Sequence, residues 1–294
     1  MPRSLQVLLI LLAPLAVFAA MVAADRVFGA PGRGRDYVLR IELPPASGQV
    51  GLPEIAGPLD ASRPLVVIDA GHGGHDPGAG TGRIKEKEIT LALALALRDR
   101  LLADGGVRVA LTRGDDRYLL LPERSGIARR LKADLFISIH ADSTEDPNTK
   151  ASGGTLYTLS SKGSDEIAER LAARENRADS VNGVALADTS DAVSAILVDL
   201  SQRETQAQSN LAAALILREG AGRLTFRERA VQSAAFIVLK SPDTPSILFE
   251  AGYITSPADF ERLTSAQWRA DFAAATARAI RVFFARQAGV QNPG

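Results

Sequence analysis

The chain has 294 residues, 46% of them apolar, and its 34 Lys and Arg balance 34 Asp and Glu to a formal net charge of zero. That apolar content excludes a disordered chain and supports a sizeable core, in one large domain or two small ones. The even charge gives no basis for nucleic acid or an anionic membrane surface as the main partner, and the lack of cysteine excludes disulfides and leaves only nitrogen and oxygen ligands for any metal.

Arg3 precedes an almost unbroken apolar run over 5–24 that ends in the small residues Ala20, Ala23 and Ala24. This is the pattern of an export signal. A run of about 20 apolar residues also suffices for an uncleaved membrane anchor, so residues 1–24 read as one or the other. Residues 25–62 read as a linker with one short strand, YVLRIEL at 37–43, between Gly- and Pro-rich stretches. From about Arg63, apolar runs alternate with helical stretches, the signature of an α/β layered domain extending to residue 288, with a tail at 289–294.

Within that domain strands are expected at 65–70, 107–112, 134–140, 153–159, 234–239 and 246–250. Helices are expected at 88–104, 122–132, 164–177 and 265–286, and one or two more at 190–220 in an extended insertion. The LALALAL run inside 88–104 alternates like a strand, but leucine and alanine favour helix and the run is too long for a typical strand.

The three histidines, His72, His75 and His140, each lie at or just after the end of an expected strand. Ligands of open α/β sheets bind outside the carboxyl ends of the strands, which makes His72 in DAGHGGHDPG and His140 in SIHAD the candidates for a site. His75 reads better as an ordinary surface or core residue. The glycine-rich loop is a poor phosphate cradle, having neither GxGxxG nor GxxxxGK[ST]. Its glycines fit better with close backbone approach around a metal.

Two imidazoles need a third protein ligand to make a catalytic zinc site with one open position. Without cysteine, that ligand is Asp or Glu. Glu86 and Glu88, in KEKEITL at a helix start, both qualify, and spacing does not choose between them. Glu250 ends the apolar strand SILFE, where a carboxylate is costly unless paired or used. Beside a metal-activated water it would serve as general base.

These segments together resemble the zinc-dependent N-acetylmuramoyl-L-alanine amidases of the bacterial cell wall, the type that separates daughter cells. VVIDAGHGGHDPGA, EKEITLALAL, LFISIHAD, RENRAD and ILFEAGYITS carry the resemblance from about Val66 to about Phe284. It implies a single α/β domain with a twisted mixed sheet flanked by helices, and one zinc ion per chain held by His72, Glu86 and His140, with Glu250 as the essential carboxylate. It also places Asp142 near the metal, as a further ligand or a partner of one. The implied reaction is hydrolysis of the amide between N-acetylmuramic acid and the L-Ala of the stem peptide in peptidoglycan.

The resemblance further implies a helical regulatory insertion, residues 175–227, with Glu175 as a glutamate that occupies the open zinc position until an activator of the LytM-domain type withdraws it. Many relatives carry a β-rich wall-targeting domain, for which residues 25–62 are too short. The expected location is therefore the periplasm, with anchoring to the inner membrane by the N-terminal segment as one route. The competing readings are a zinc carboxypeptidase-like enzyme acting on wall peptides and a catalytically silent wall-binding module.

Overall fold

A computed structural model describes residues 51–81, 84–144, 151–181, 184–185 and 195–291. The apolar run, the 37–43 strand and the end of the tail lie outside them. The segment ahead of the first sheet strand is more than a linker. Ala56 exchanges two backbone hydrogen bonds with Val109, at 2.8 and 2.9 Å, so residues ahead of Arg63 also pack onto the sheet.

Six strands form one mixed sheet: β1 (Leu65–Ala70), β4 (Arg108–Leu111), β5 (Leu135–Asp142), β6 (Gly154–Leu159), β9 (Phe226–Ala234) and β10 (Ser246–Tyr253). Their order is β4-β1-β5-β10-β6-β9. Strands β4, β1, β5 and β10 run parallel, and β6 with β9 runs antiparallel to them. Two short hairpins, β2–β3 (Gly80–Thr81 with Ile84–Lys85) and β7–β8 (Ser180–Val181 with Val184–Ala185), complete the strands among the described residues.

Helices cover both faces. Helix α1 (Glu86–Asp104), α4 (Ala195–Gly220) and α6 (Ala266–Gln291) pack on one face, where Val66, Ile68, Leu93, Leu97, Ile137, Phe249 and Phe272 share a core. Helix α2 (Leu121–Arg130) and α3 (Glu166–Glu175) pack on the other with Leu65, Val67, Phe136, Tyr157 and Leu248. The alternating LALALAL run is helical as expected. Its buried positions, Ile89, Thr90, Leu93, Ala94, Leu97 and Leu101, recur every three or four residues, so the alternation is one of residue size and not of face.

One expected strand is misplaced and one helix is additional. The strand expected at 234–239 ends where it was expected to begin. The sheet takes FRERAVQSA, a half-exposed segment that pairs with β6 on one side only. Charged residues suit such an edge, and they hide it from a search for apolar alternation. The apolar run after it makes a 3-10 turn at Ile237–Leu239 whose Val238 and Leu239 fill the core beneath α2. Helix 265–286 is preceded by a separate short helix, α5 (Pro257–Thr264), started by its proline. The limits of the expected insertion also shift. Ala212, Ala213, Leu215 and Ile216 of α4 are buried in the main core, so 175–227 takes in chain that the domain itself depends on.

Candidate metal centre and active site

Three parallel strand ends deliver the site. Strand β1 stops at Ala70, and His72 follows in a left-handed conformation with φ of 59°. His140 belongs to β5, and Glu250 lies beside it in register on β10. Partners in register on neighbouring strands point to the same side. Here that is the side of α2 and α3, because Phe136 and Leu248, an even number of residues earlier on β5 and β10, lie in that core.

Glu86 comes from the opposite face. The β2–β3 hairpin leads into α1, and the first helical N–H groups, of Glu86 and Lys87, donate to the carbonyls of Ala79 and Pro77 (2.7 and 3.2 Å). This folds the glycine loop back onto the helix start. Two backbone amides then grip the Glu86 carboxylate: Ala79 N–H donates to Oε2 at 2.8 Å, and Ala141 N–H to Oε1 at 2.9 Å.

The remaining geometry separates the two glutamates that spacing could not. Glu86 is 2% exposed, with Oε1 3.1 Å from both His72 Nε2 and His140 Nδ1. Glu88 is exposed and turns back to accept the Lys85 N–H at 3.3 Å, capping the helix. His72 Nδ1–H donates to Asp76 Oδ2 at 2.7 Å, which turns Nε2 toward Glu86. Gly71 and Gly78 are there because nothing larger fits. A Cβ on Gly71 would meet the His140 ring at 2.5 Å, and one on Gly78 would meet Glu86 Oε2 and His72 Cδ2 at 2.6 Å.

Glu175, the last residue of α3, is buried at the same point. Its Oε2 stands 3.4 Å from His72 Nε2 and from His140 Nδ1. Its Oε1 accepts from Arg174 Nε and Nη2 (3.1 and 3.0 Å), so the pairing with Arg174 and the approach to the histidines coexist. Asp142 stands one step outside the cluster, taking Arg174 Nη2 and its neighbour Ser143 N–H, each at 2.6 Å. The chain after α3 is fastened on both sides. Asn176 Nδ2 donates to the Ala235 carbonyl at 2.8 Å, while Asp179 accepts from Tyr118 Oη and Leu121 N–H, both at 2.9 Å. His75, by contrast, is exposed and packs its ring on Tyr118.

The donor set fits a cation. Among the described residues, His72, Glu86 and His140 offer two nitrogens and an oxygen converging on one point, and His140, Glu175 and Glu250 form an overlapping trio. His72 Nε2 and both Glu250 oxygens are buried without a hydrogen-bond partner, which is costly unless something else occupies the point they face. Charge tells the same story. Burial, then Asp142, Glu175 and Glu86, push Glu250 well above the usual carboxylate range. Burial opposes ionisation of Glu86 too, but the two histidines outweigh it and hold that carboxyl well below its ordinary value.

The family model for N-acetylmuramoyl-L-alanine amidases matches residues 66–282. The chain belongs to this amidase family. Amidase AmiA of Escherichia coli is 39% identical over 222 residues, covering 75% of this chain and 76% of its own. Amidase AmiC of Neisseria meningitidis is 36% identical over 74% of this chain and 52% of its own. Among solved structures, the amidase AmiC2 of Nostoc punctiforme has 29% identity and a TM-score of 0.53, covering 75% of this chain and 97% of its own. As in the amidase catalytic domains, the described fold is one α/β unit built on a mixed sheet.

Two parts of the amidase site escaped the sequence. Asp69, Arg113 and Arg124 are buried polar residues beneath the His72 loop. Of these three, only Asp69 carried a signal, a charge inside an apolar strand. Asp76 had one too, lying four residues beyond His72. Nothing in the spacing of the arginines pointed inward.

Proposed function

We propose that this chain is a zinc amidase that hydrolyses the amide between N-acetylmuramic acid and L-Ala in peptidoglycan, and that His72, Glu86 and His140 hold the ion. The observation that carries the proposal is the convergence of these three donors with Glu250, whose two carboxylate oxygens are buried and unpartnered beside His140. When bound, zinc supplies a Lewis acid for the amide carbonyl and a water whose pKa is brought to about 7.

Glu250 handles the proton. Its carboxylate accepts one from the attacking water and passes it to the L-Ala nitrogen as the C–N bond breaks, leaving a lactyl carboxyl and a free amine. The high proton affinity that burial and like charge give Glu250 suits this shuttle. Asp76 holds His72 in the tautomer that presents Nε2, and the Ala79 and Ala141 amides keep the Glu86 carboxylate aimed. Asp142 accepts from Arg174, and we assign it to holding that arginine beside Glu175.

Glu175 Oε2, 3.4 Å from both histidine nitrogens, stands within reach of an ion that they would hold. We read α3 as a plug that an activator of the LytM-domain type would withdraw, and the chain as exported by residues 1–24 to act on the wall in the periplasm, either released or held at the inner membrane by the same segment. Daughter-cell separation is the process this activity would serve.

Mass spectrometry of the products from purified sacculi tests the reaction. Stem peptides with a free L-Ala amine are expected from the parent and not from Glu250→Ala or the chelated protein. Cleavage that survives both treatments would refute the mechanism, and release of single C-terminal amino acids would make the enzyme a carboxypeptidase instead.

A further inference from the structure

Beneath the His72 loop lie two guanidinium groups whose donors are spent almost wholly on backbone carbonyls. Arg113 is fully buried and Arg124 is 2% exposed. When β1 ends at Ala70, the next carbonyls lose their strand partners, and the two arginines take them. Arg113 Nε donates to Ala70 O (2.8 Å) and Nη2 to Gly71 O (2.7 Å). Arg124 Nη1 donates to Ala70 O (2.7 Å) and Nη2 to His72 O (2.8 Å). Three successive carbonyls, ending on His72 itself, are thus gripped from two directions.

The same groups reach the other elements of the site. Arg113 Nη2 also donates to the Lys87 carbonyl (2.9 Å) and Thr90 Oγ1 (3.1 Å), in the first turn of the helix that begins with Glu86. Thr90 Oγ1 in turn donates to Gly71 O (2.8 Å). Arg124 Nη1 pairs with Asp69 Oδ1 at 2.9 Å, and Ser138, two residues before His140, donates to Asp69 Oδ2 at 2.7 Å. The backbone of His72 is left-handed, a conformation a residue with a side chain holds only when its surroundings impose it.

Burying a guanidinium is costly before its attractions are counted, and none of the described hydrogen bonds of Arg113 goes to a carboxylate. We infer that Arg113 and Arg124 are positioning residues of the metal centre: together they impose the His72 conformation and fix its distance from Glu86 and His140. Only a planar fork with five donors covers carbonyls that diverge in this way. The three N–H bonds of a lysine leave one point.

This inference rests on the metal reading above, and the experiment separates the two. Zinc affinity is measured by competition with a chromophoric chelator for the full chain and for Arg113→Lys, Arg124→Lys and Thr90→Val, alongside thermal melting and kinetics at saturating zinc. The lysine variants keep the charge and lose the fork. They are expected to bind zinc about 10- to 100-fold more weakly, with kcat lowered and KM held once saturated. Thr90→Val is expected to shift affinity in the same direction by less. A purely structural role would lower the melting temperature without changing the affinity of the folded molecules. Parental zinc affinity in folded lysine variants overturns the inference. If those variants do not fold, Thr90→Val decides by the same criterion. A parent chain that binds no zinc overturns the metal reading, and this inference with it.

Discussion

Glu86 and Glu88 stand two positions apart on one helix and meet opposite fates, one gripped by two amides inside the protein and the other capping the helix from outside. Periodicity says only that they face different directions. Which direction is inward depends on how the loop over 71–85 folds back, and that is set by contacts between distant segments. The two histidines were legible because strand ends are. Arg113 and Arg124 were not, since a buried arginine looks like any other until its carbonyl partners are known. At this scale Glu175→Ala is expected to raise basal activity on sacculi by roughly 5- to 150-fold, the range of a coupling energy of about 1–3 kcal/mol. A variant no more active than the parent removes Glu175 from regulation.

Asp69 gives a pH prediction at the same scale. Burial alone would raise its carboxyl, but the Arg124 cation and the hydroxyls of Thr112 and Ser138 outweigh burial and hold it below the ordinary range. The unfolded chain therefore takes up this proton first as pH falls. The stability that Asp69 contributes is complete above the ordinary Asp value of about 3.9 and is lost as pH drops through the lower folded value. Urea melts over that window should show Asp69→Asn with a flatter acid dependence than the parent and about 3 kcal/mol less stability at neutral pH, because Arg124 is left buried without its partner. An unchanged acid slope would assign the effect elsewhere.

Among elements, the glycine loop between β1 and α1 decides whether the ligands meet. Gly78 has φ of 64° and no room for a Cβ between Glu86 and His72. Gly78→Ala is expected to lose about 1–2 kcal/mol from the left-handed backbone and to weaken zinc binding about tenfold by moving Glu86. Calorimetry with zinc reads both, and parental affinity would show that the loop yields without disturbing its ligands. The misplaced strand belongs to this scale too. Apolar alternation finds strands covered on a face, and β9 is an edge whose exposed residues carry charge, so its sequence resembles a loop while the true turn after it resembles a strand.

Across the whole molecule, small residues let three helices close over one face of the sheet. Ala275, Ala277 and Ala279 of α6 are buried in a core shared with Ala212 and Ala213 of α4 and Ala94 of α1. Ala275→Leu should force these helices apart at a cost of about 1–3 kcal/mol, read as a lowered melting temperature with the zinc centre intact. A neutral result would mean that the face has slack. The α/β class was legible from alternation alone, because each layer must bury its own stripe. Strand order was not, since it depends on pairings between segments far apart in the chain.

The pairing of Glu250 with His140 across β10 and β5 has a consequence in time. His140 lies near the middle of the chain and Glu250 toward its end, and they become neighbours only when the last sheet strand slots between β5 and β6. Until then the chain has both histidines but no Glu250 carboxylate beside them. The cluster of His72, Glu86, His140 and Glu250 is therefore assembled only when the sheet closes, however complete its earlier strands are.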